Sequence, residues 1–190
     1  YKVAEKRIEE WFKNSEIKLE NPNCQDDQFR INSLLVKDKE GAAVLEIEDI
    51  KWDMRKKYIL FGENGSGKST LLNLMVKEKE YEEGVINYGS IELKNISDDY
   101  LSNKVFYLPQ QDAELNITPV ELYQYTSCEN AFQIAIEFGI TEKMLKEEKI
   151  NDLSLGNKRK VYLALALSQN NKYLFLDEPT NHLDTYGITI

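Results

Sequence analysis

Cysteine is scarce. Cys24 and Cys128 are the only two in 190 residues, and they form neither a CxxC pair nor a disulfide framework, which is the usage of a reducing compartment. Both read as packing residues. Basic charge is in deficit: 24 Lys and Arg stand against 33 Asp and Glu, a formal charge of -9. Such a chain has the wrong overall sign for the phosphate-neutralising attraction that dominates binding to nucleic acid or anionic lipid, so it is a poor default binder of either unless a local patch overrides the sign, and no nucleic-acid partner is expected. No stretch reaches the roughly 18 to 20 apolar residues that cross a bilayer, and no signal-peptide pattern opens the chain. Internal repeats and low-complexity tracts are also missing. The first residue is Tyr1 rather than Met, as expected of a fragment of a longer product, so a membrane function would rest on segments or chains not shown. What is present suits one domain with a short extension: 42% hydrophobic and 30% charged residues can bury a core, and the length leaves no room for two enzymatic domains.

Tyr1, Ala4, Ile8, Trp11 and Phe12 recur at helical spacing, so a short amphipathic helix is expected there, followed by an Asn- and Asp-rich linker up to Gln28. Phe29 to Val36 and Ala43 to Ile50 read as strands around a turn at Lys39, Glu40 and Gly41. Tyr58 to Phe61 has the apolar run of a strand buried in a parallel sheet, and Leu71, Leu72, Leu74 and Met75 begin a helix. Gly84 to Leu93 and Val105 to Leu108 supply further strand-like material. From Gln111 to Asp152 two or three helices are expected; nine acids against three lysines leave -6 there, the usual mark of a solvated helix surface. A helix through Val161 to Ser168 and a strand Tyr173 to Leu176 follow. Strands alternating with helices imply an α/β fold with a mostly parallel sheet.

Two features carry chemistry. Gly62-Glu63-Asn64-Gly65-Ser66-Gly67-Lys68-Ser69 fits GxxxxGK[ST], with a strand expected before it and a helix after it. Glycines at 62, 65 and 67 allow a turn tight enough for backbone N–H groups to close around phosphate oxygens. The helix start aims its positive end at the same group. Lys68 would reach the β and γ oxygens, and the Ser69 hydroxyl would ligate Mg²⁺. The second feature is Asp177-Glu178, at the end of the apolar Tyr173 to Leu176 run. One acid there can hold Mg²⁺ through water while its neighbour polarises the attacking water. A strand leaving the core into an acidic turn would show the same residues.

Taken in order, these segments resemble the ATP-binding cassette family, the nucleotide-binding domain of ABC transporters, over about Ala43 to Asp184. Gly62 to Thr70 looks like Walker A, and Gln110 like the Q-loop glutamine, whose carbonyl in the family meets Mg²⁺ and the water. Leu153-Ser154-Leu155-Gly156-Asn157 resembles the signature, although a capped helix start reads the same way when taken alone. Asp177 and Glu178 look like Walker B with its catalytic glutamate, and Asn181 to Asp184 like the D-loop. The resemblance implies a P-loop NTPase core with an antiparallel β subdomain and a helical subdomain at about 111–152. Residues 1–20 would be a helical linker of the kind that leads from a membrane domain, and 21–190 the cassette. It also implies an ATPase whose cofactors are ATP and Mg²⁺.

The family's catalytic roles would fall to Glu178 and Gln110, and its metal-binding ones to Ser69, Gln110 and Asp177. Nucleotide contacts would come from residues 62–70 and, for a partner's γ-phosphate, from the Ser154 hydroxyl and the Gly156 N–H. The partners implied are a second cassette, head to tail, and a transmembrane domain in the same or another chain, on the cytoplasmic side of the cell membrane. His182, the only histidine, could in principle be a general base, but falls at a D-loop position that works by contact across the dimer.

Four departures qualify the match. The family's switch histidine would lie beyond Ile190. The adenine-stacking aromatic would fall near Val36 to Asp38, where none occurs and Phe29 is only a distant candidate. Leu155 and Asn157 replace a signature glycine and glutamine. No TEVGERG-like stretch precedes the signature. A membrane exporter is the favoured class; a soluble ABC-F-type ribosome-associated ATPase and a separate ATPase subunit of a permease are the alternatives.

Overall fold

A computed structural model describes residues 27–171 and 173–183. The helix expected over Tyr1 to Phe12, most of the linker, and Asp184 lie outside them. The described residues fall into two compact units, one ending at Val105 and the other beginning at Phe106.

The first unit is built on an antiparallel sheet in the order β2-β1-β3-β4. Its strands are β1 (Gln28–Lys37), β2 (Ala43–Asp53), β3 (Glu83–Tyr88) and β4 (Ile91–Glu92). The hairpin between β1 and β2 closes where Asp38 Oδ1 accepts from the N–H groups of Glu40 and Ala42, with Gly41 at φ +86. β1 does not bury a simple alternation. Phe29 and Ile31 face the core, and so do Leu34 and Val36, so the inward phase slips by one residue between the two pairs. The slip sits at Ser33, φ +50, where the register of β1 against β3 shifts between Asn32 and Leu35. Opposite it, Gly84 has φ +104, and a Cβ there would lie 2.6 Å from the Leu34 Cα. This bulge keeps Asn32 and Ser33 at the surface and all four apolar side chains inside.

Helix α1 (Lys68–Met75) buries Leu71, Leu72, Leu74 and Met75, and the Tyr88 hydroxyl donates to the Met75 carbonyl at its end. Helix α2 (Asp98–Lys104) was not expected. Its sequence, DDYLSNK, has no apolar stripe, and Leu101 is its one buried residue. Instead, Ser97 caps it by accepting from the Tyr100 N–H, and two aspartates occupy the first turn with a lysine in the last, matching the helix dipole.

One expectation fails here. Tyr58 to Phe61 is not a strand; Ile59 is 76% and Phe61 87% exposed. Neither described sheet includes it. Extended backbone becomes a strand only when a second backbone meets its N–H and C=O groups, and an apolar run does not itself provide that partner.

The second unit pairs β5 (Val105–Leu108) with β6 (Tyr173–Leu176). Between them run α3 (Pro119–Tyr125), α4 (Asn130–Glu137), α5 (Glu142–Glu147) and α6 (Leu155–Ser168), so the acidic segment holds three helices, as expected. The core joins Phe106 and Leu108 to Leu122, Ala131, Ala135, Leu145 and the middle of α6. In α6 every residue from Lys158 to Ala166 except Lys160 is buried, the pattern of a helix enclosed on all sides. Buried hydroxyls tie it down: Tyr123 donates to the Val161 carbonyl at 3.0 Å, and Tyr162 to that of Ala113 at 2.7 Å.

Helix α3 opens on a reciprocal cap. Thr118 Oγ1 accepts from the Glu121 N–H, and Glu121 Oε2 accepts from the Thr118 N–H at 2.7 Å. Those bonds from Thr118 hold the Glu121 carboxyl below its ordinary pKa, so the ionised cap is present above that ordinary value and is lost as pH falls through the depressed one. Thr118→Ala should lower stability by about 1 kcal/mol, read from urea unfolding at neutral pH. An unchanged midpoint would show that the cap carries no stability.

Candidate functional site

In the first unit, the segment from Gly62 to Thr70 leads into α1. Gly65 and Gly67 have φ of +82 and +91, in the left-handed region where a side chain is strained. Gly67 is the N-cap of α1 and supplies no side-chain acceptor, so the N–H groups of the first turn, which carries Ser69 and Thr70, remain for an anion. Space matters as much as angle. A Cβ on Gly62 would lie 2.6 Å from Ser66 Oγ, and one on Gly67 2.9 Å from Leu45 Cδ1. Lys68 reaches back across the loop, its Nζ donating to the carbonyls of Gly62 and Glu63 at 2.8 Å each. Glu63, Asn64 and Gly65 form the exposed tip. A glycine cradle closed by an ammonium and abutting a helix N-terminus fits a polyphosphate.

In the second unit, the chain leaves β6 through Asp177, which is 4% exposed. Its N–H donates to the Leu108 carbonyl at 2.9 Å, joining it to the end of β5, and the Tyr107 hydroxyl lies 3.5 Å from its Oδ2. Glu178 follows at φ +45. Its Oε2 accepts from Gln110 Nε2 and from Asn181 Nδ2, both at 2.9 Å. Two amide donors thus fix one carboxylate oxygen, and the structure brings together the two residues, Gln110 and Glu178, that the sequence marked for catalysis. The donors that the sequence assigned to a metal, Ser69, Gln110 and Asp177, are all hard oxygens of the kind Mg²⁺ takes. Among the described residues no group of three or more His, Cys, Asp or Glu could hold an ion.

Helix α6 begins at the LSLGN segment. Ser154 is its N-cap, with Oγ accepting from the Asn157 N–H at 3.3 Å; Ser154 and Leu155 are exposed. Gly156 is where a neighbouring backbone comes close: a Cβ there would lie 2.8 Å from the His182 carbonyl oxygen. His182 has φ +63 and is itself exposed. Phe29, the distant candidate for stacking on a base, is fully buried and packed between Trp52 and Tyr88, with ring centroids at 5.6 and 5.0 Å. It has no free face to offer.

A family profile described as ABC transporter matches residues 47–181. The chain belongs to the ABC transporter ATP-binding family. The cassette is 34% identical over 146 residues to the lactococcin-G-processing and transport ATP-binding protein LagD of Lactococcus lactis subsp. lactis, across 69% of this chain and 21% of that protein. It is 32% identical to ATP-binding cassette sub-family F member 2 of Bos taurus, across 77% of this chain and 23% of that protein. The chain therefore spans less than a quarter of either relative. Its fold matches that of a putative ABC transporter ATP-binding protein from Pyrococcus furiosus with a TM-score of 0.68, at 24% identity, over 83% of this chain and 78% of that one. The α/β class with an antiparallel β part and a helical part is the ABC ATPase fold that the sequence implied.

Sequence reading of the cassette missed four residues around the carboxylate. Asn181 was seen only as part of the D-loop, yet its side chain holds Glu178. Tyr107 and Asp112 drew no notice. Arg159, which stands between two lysines, drew no notice either, yet it is 1% exposed. One signal was available: Arg159 lies three and four residues before Tyr162 and Leu163, at the spacing that puts it on the same helix face as those two large side chains.

Proposed function

We propose that this cassette binds and hydrolyses ATP as the motor domain of an ABC transporter, dimerising head to tail around the nucleotide to drive export across a membrane. The observation that carries the reading is the Glu178 carboxylate, clamped by Gln110 and Asn181 beside the buried Asp177. A fixed carboxylate is what a reaction needs to orient and deprotonate a water, and Gln110 is placed to hold it in one rotamer. Residues 62–70 hold the triphosphate, with Lys68 giving up its loop carbonyls for phosphate oxygens. Ser69 of the first unit, and Gln110 and Asp177 of the second, are the residues that would hold Mg²⁺, which would supply charge neutralisation to the phosphates. Ser154 and the Gly156 N–H serve the nucleotide of the second copy.

Export, rather than another use of the cassette, is favoured by the likeness to LagD, whose name assigns it processing and transport. The likeness to a sub-family F member keeps a soluble role as the second reading. No described helix is long and apolar enough to cross a membrane, so the transmembrane domain would be another segment or chain, with the cassette on its cytoplasmic side. Fractionating cells that make the full-length product tests this. The exporter reading expects the protein in the membrane pellet after a high-salt wash, and sedimentation with ribosomes would contradict it.

A further inference from the structure

We propose that Arg159 is a positioning residue for hydrolysis, tying the helix that carries Ser154 to the backbone that aims Glu178 and Gln110. This rests on the reading of Glu178 as the residue that activates water. The guanidinium spends all three nitrogens on two chain segments. Nη1 donates to the Pro109 carbonyl and to Asp112 Oδ1, both at 2.8 Å. Nη2 donates to the carbonyls of Asp177 at 2.6 Å and Glu178 at 3.1 Å, and Nε lies 3.4 Å from that of Pro179. One buried cation therefore grips the residue before Gln110 and both residues of the carboxylate pair.

Three facts suggest that this grip does more than fill space. Glu178 sits at φ +45, a backbone that a non-glycine residue keeps only when its surroundings enforce it. Arg159 holds that backbone at its carbonyl, while Gln110 and Asn181 hold the carboxylate at the other end. Second, the Arg159 and Asp112 side chains are 1% and 11% exposed, with Nη1 and Oδ1 2.8 Å apart, so the pair is held away from solvent. A buried ion pair is a poor source of stability, and here its cation joins two chain segments through defined hydrogen bonds. Third, the first turn of α6 is pressed onto the same loop, since the missing side chain of Gly156 admits the His182 carbonyl. The start of α6 and the 177–182 turn are thus in contact at two points, so a shift of Ser154 carries Glu178 with it.

Lysine cannot reproduce this, because a single ammonium cannot span a carboxylate and four carbonyls on separate segments. In the full-length chain, Arg159→Lys should lower kcat by about tenfold or more, the scale expected when a catalytic group drifts by a fraction of an ångström. The affinity for the β,γ-imido analogue of ATP should stay within about threefold of native, with the same stoichiometry. Arg159→Gln should fall further, and Asp112→Asn, which keeps the guanidinium, should fall less than either. Native kcat per bound nucleotide in Arg159→Lys and Arg159→Gln would overturn the proposal. So would variants whose activity falls only in step with lost analogue binding, or that bind none, because Arg159 would then support the fold alone. Glu178→Gln is the control. If it still turns over, the reading of Glu178 fails; if it is inactive while Arg159→Lys is not, only the role of Arg159 fails.

Discussion

Lys68→Ala should lose ATP affinity by about 10²-fold. The native ammonium already sits across the loop on the Gly62 and Glu63 carbonyls, 2.8 Å from each, so little conformational freedom remains to be lost when phosphate oxygens take their place. Hydrogen bonds to charged partners contribute about 1.5 to 3 kcal/mol each, and one or two of them amount to the stated factor. The fold should hold, because α1 is anchored by the buried Leu71, Leu72, Leu74 and Met75 and not by the Lys68 ammonium, which lies on the exposed loop. Calorimetry on the native protein and the variant reads the effect directly. Affinity undiminished by the substitution would remove the loop from the binding site.

Glu178→Gln is the second large effect, and it separates binding from chemistry. Turnover should fall by about 10² to 10⁴-fold, the span that a positioned general base provides, while ATP affinity stays near native. Glutamine has the same shape, and its amide oxygen can still accept from Gln110 and Asn181, so the geometry around Asp177 is kept and only the basic oxygen is lost. Single-turnover measurement of phosphate release separates this outcome from one in which product release is limiting. Full turnover in the variant would show that Glu178 is not the base.

Both predictions draw on features that local sequence pattern makes visible. The glycine spacing at 62, 65 and 67 fixes a turn whatever surrounds it, and the apolar run ending in Asp177 and Glu178 announces an acid at a strand end. The segments 29–36 and 43–50, read as strands around a turn, likewise became β1 and β2. What was not legible depends on distant partners. Tyr58 to Phe61 has strand-like composition but no pairing backbone among the described strands. The phase slip at Ser33 answers to Gly84, 51 residues away, and nothing in the 29–36 window reveals it. The same holds for Arg159, whose five contacts lie 18 to 50 residues away in sequence. A charge in an apolar helix signals that it must be paired, but not with what.

The most direct test of the whole account is the mass of Glu178→Gln in solution. Sedimentation of the full-length variant with Mg²⁺ and ATP should show a nucleotide-dependent association of two cassettes, each completing the γ-phosphate site of the other through Ser154 and Gly156, that reverses with ADP. An unchanged mass at saturating ATP, with the nucleotide shown to be bound, would contradict the sandwich and with it the role proposed for the LSLGN segment.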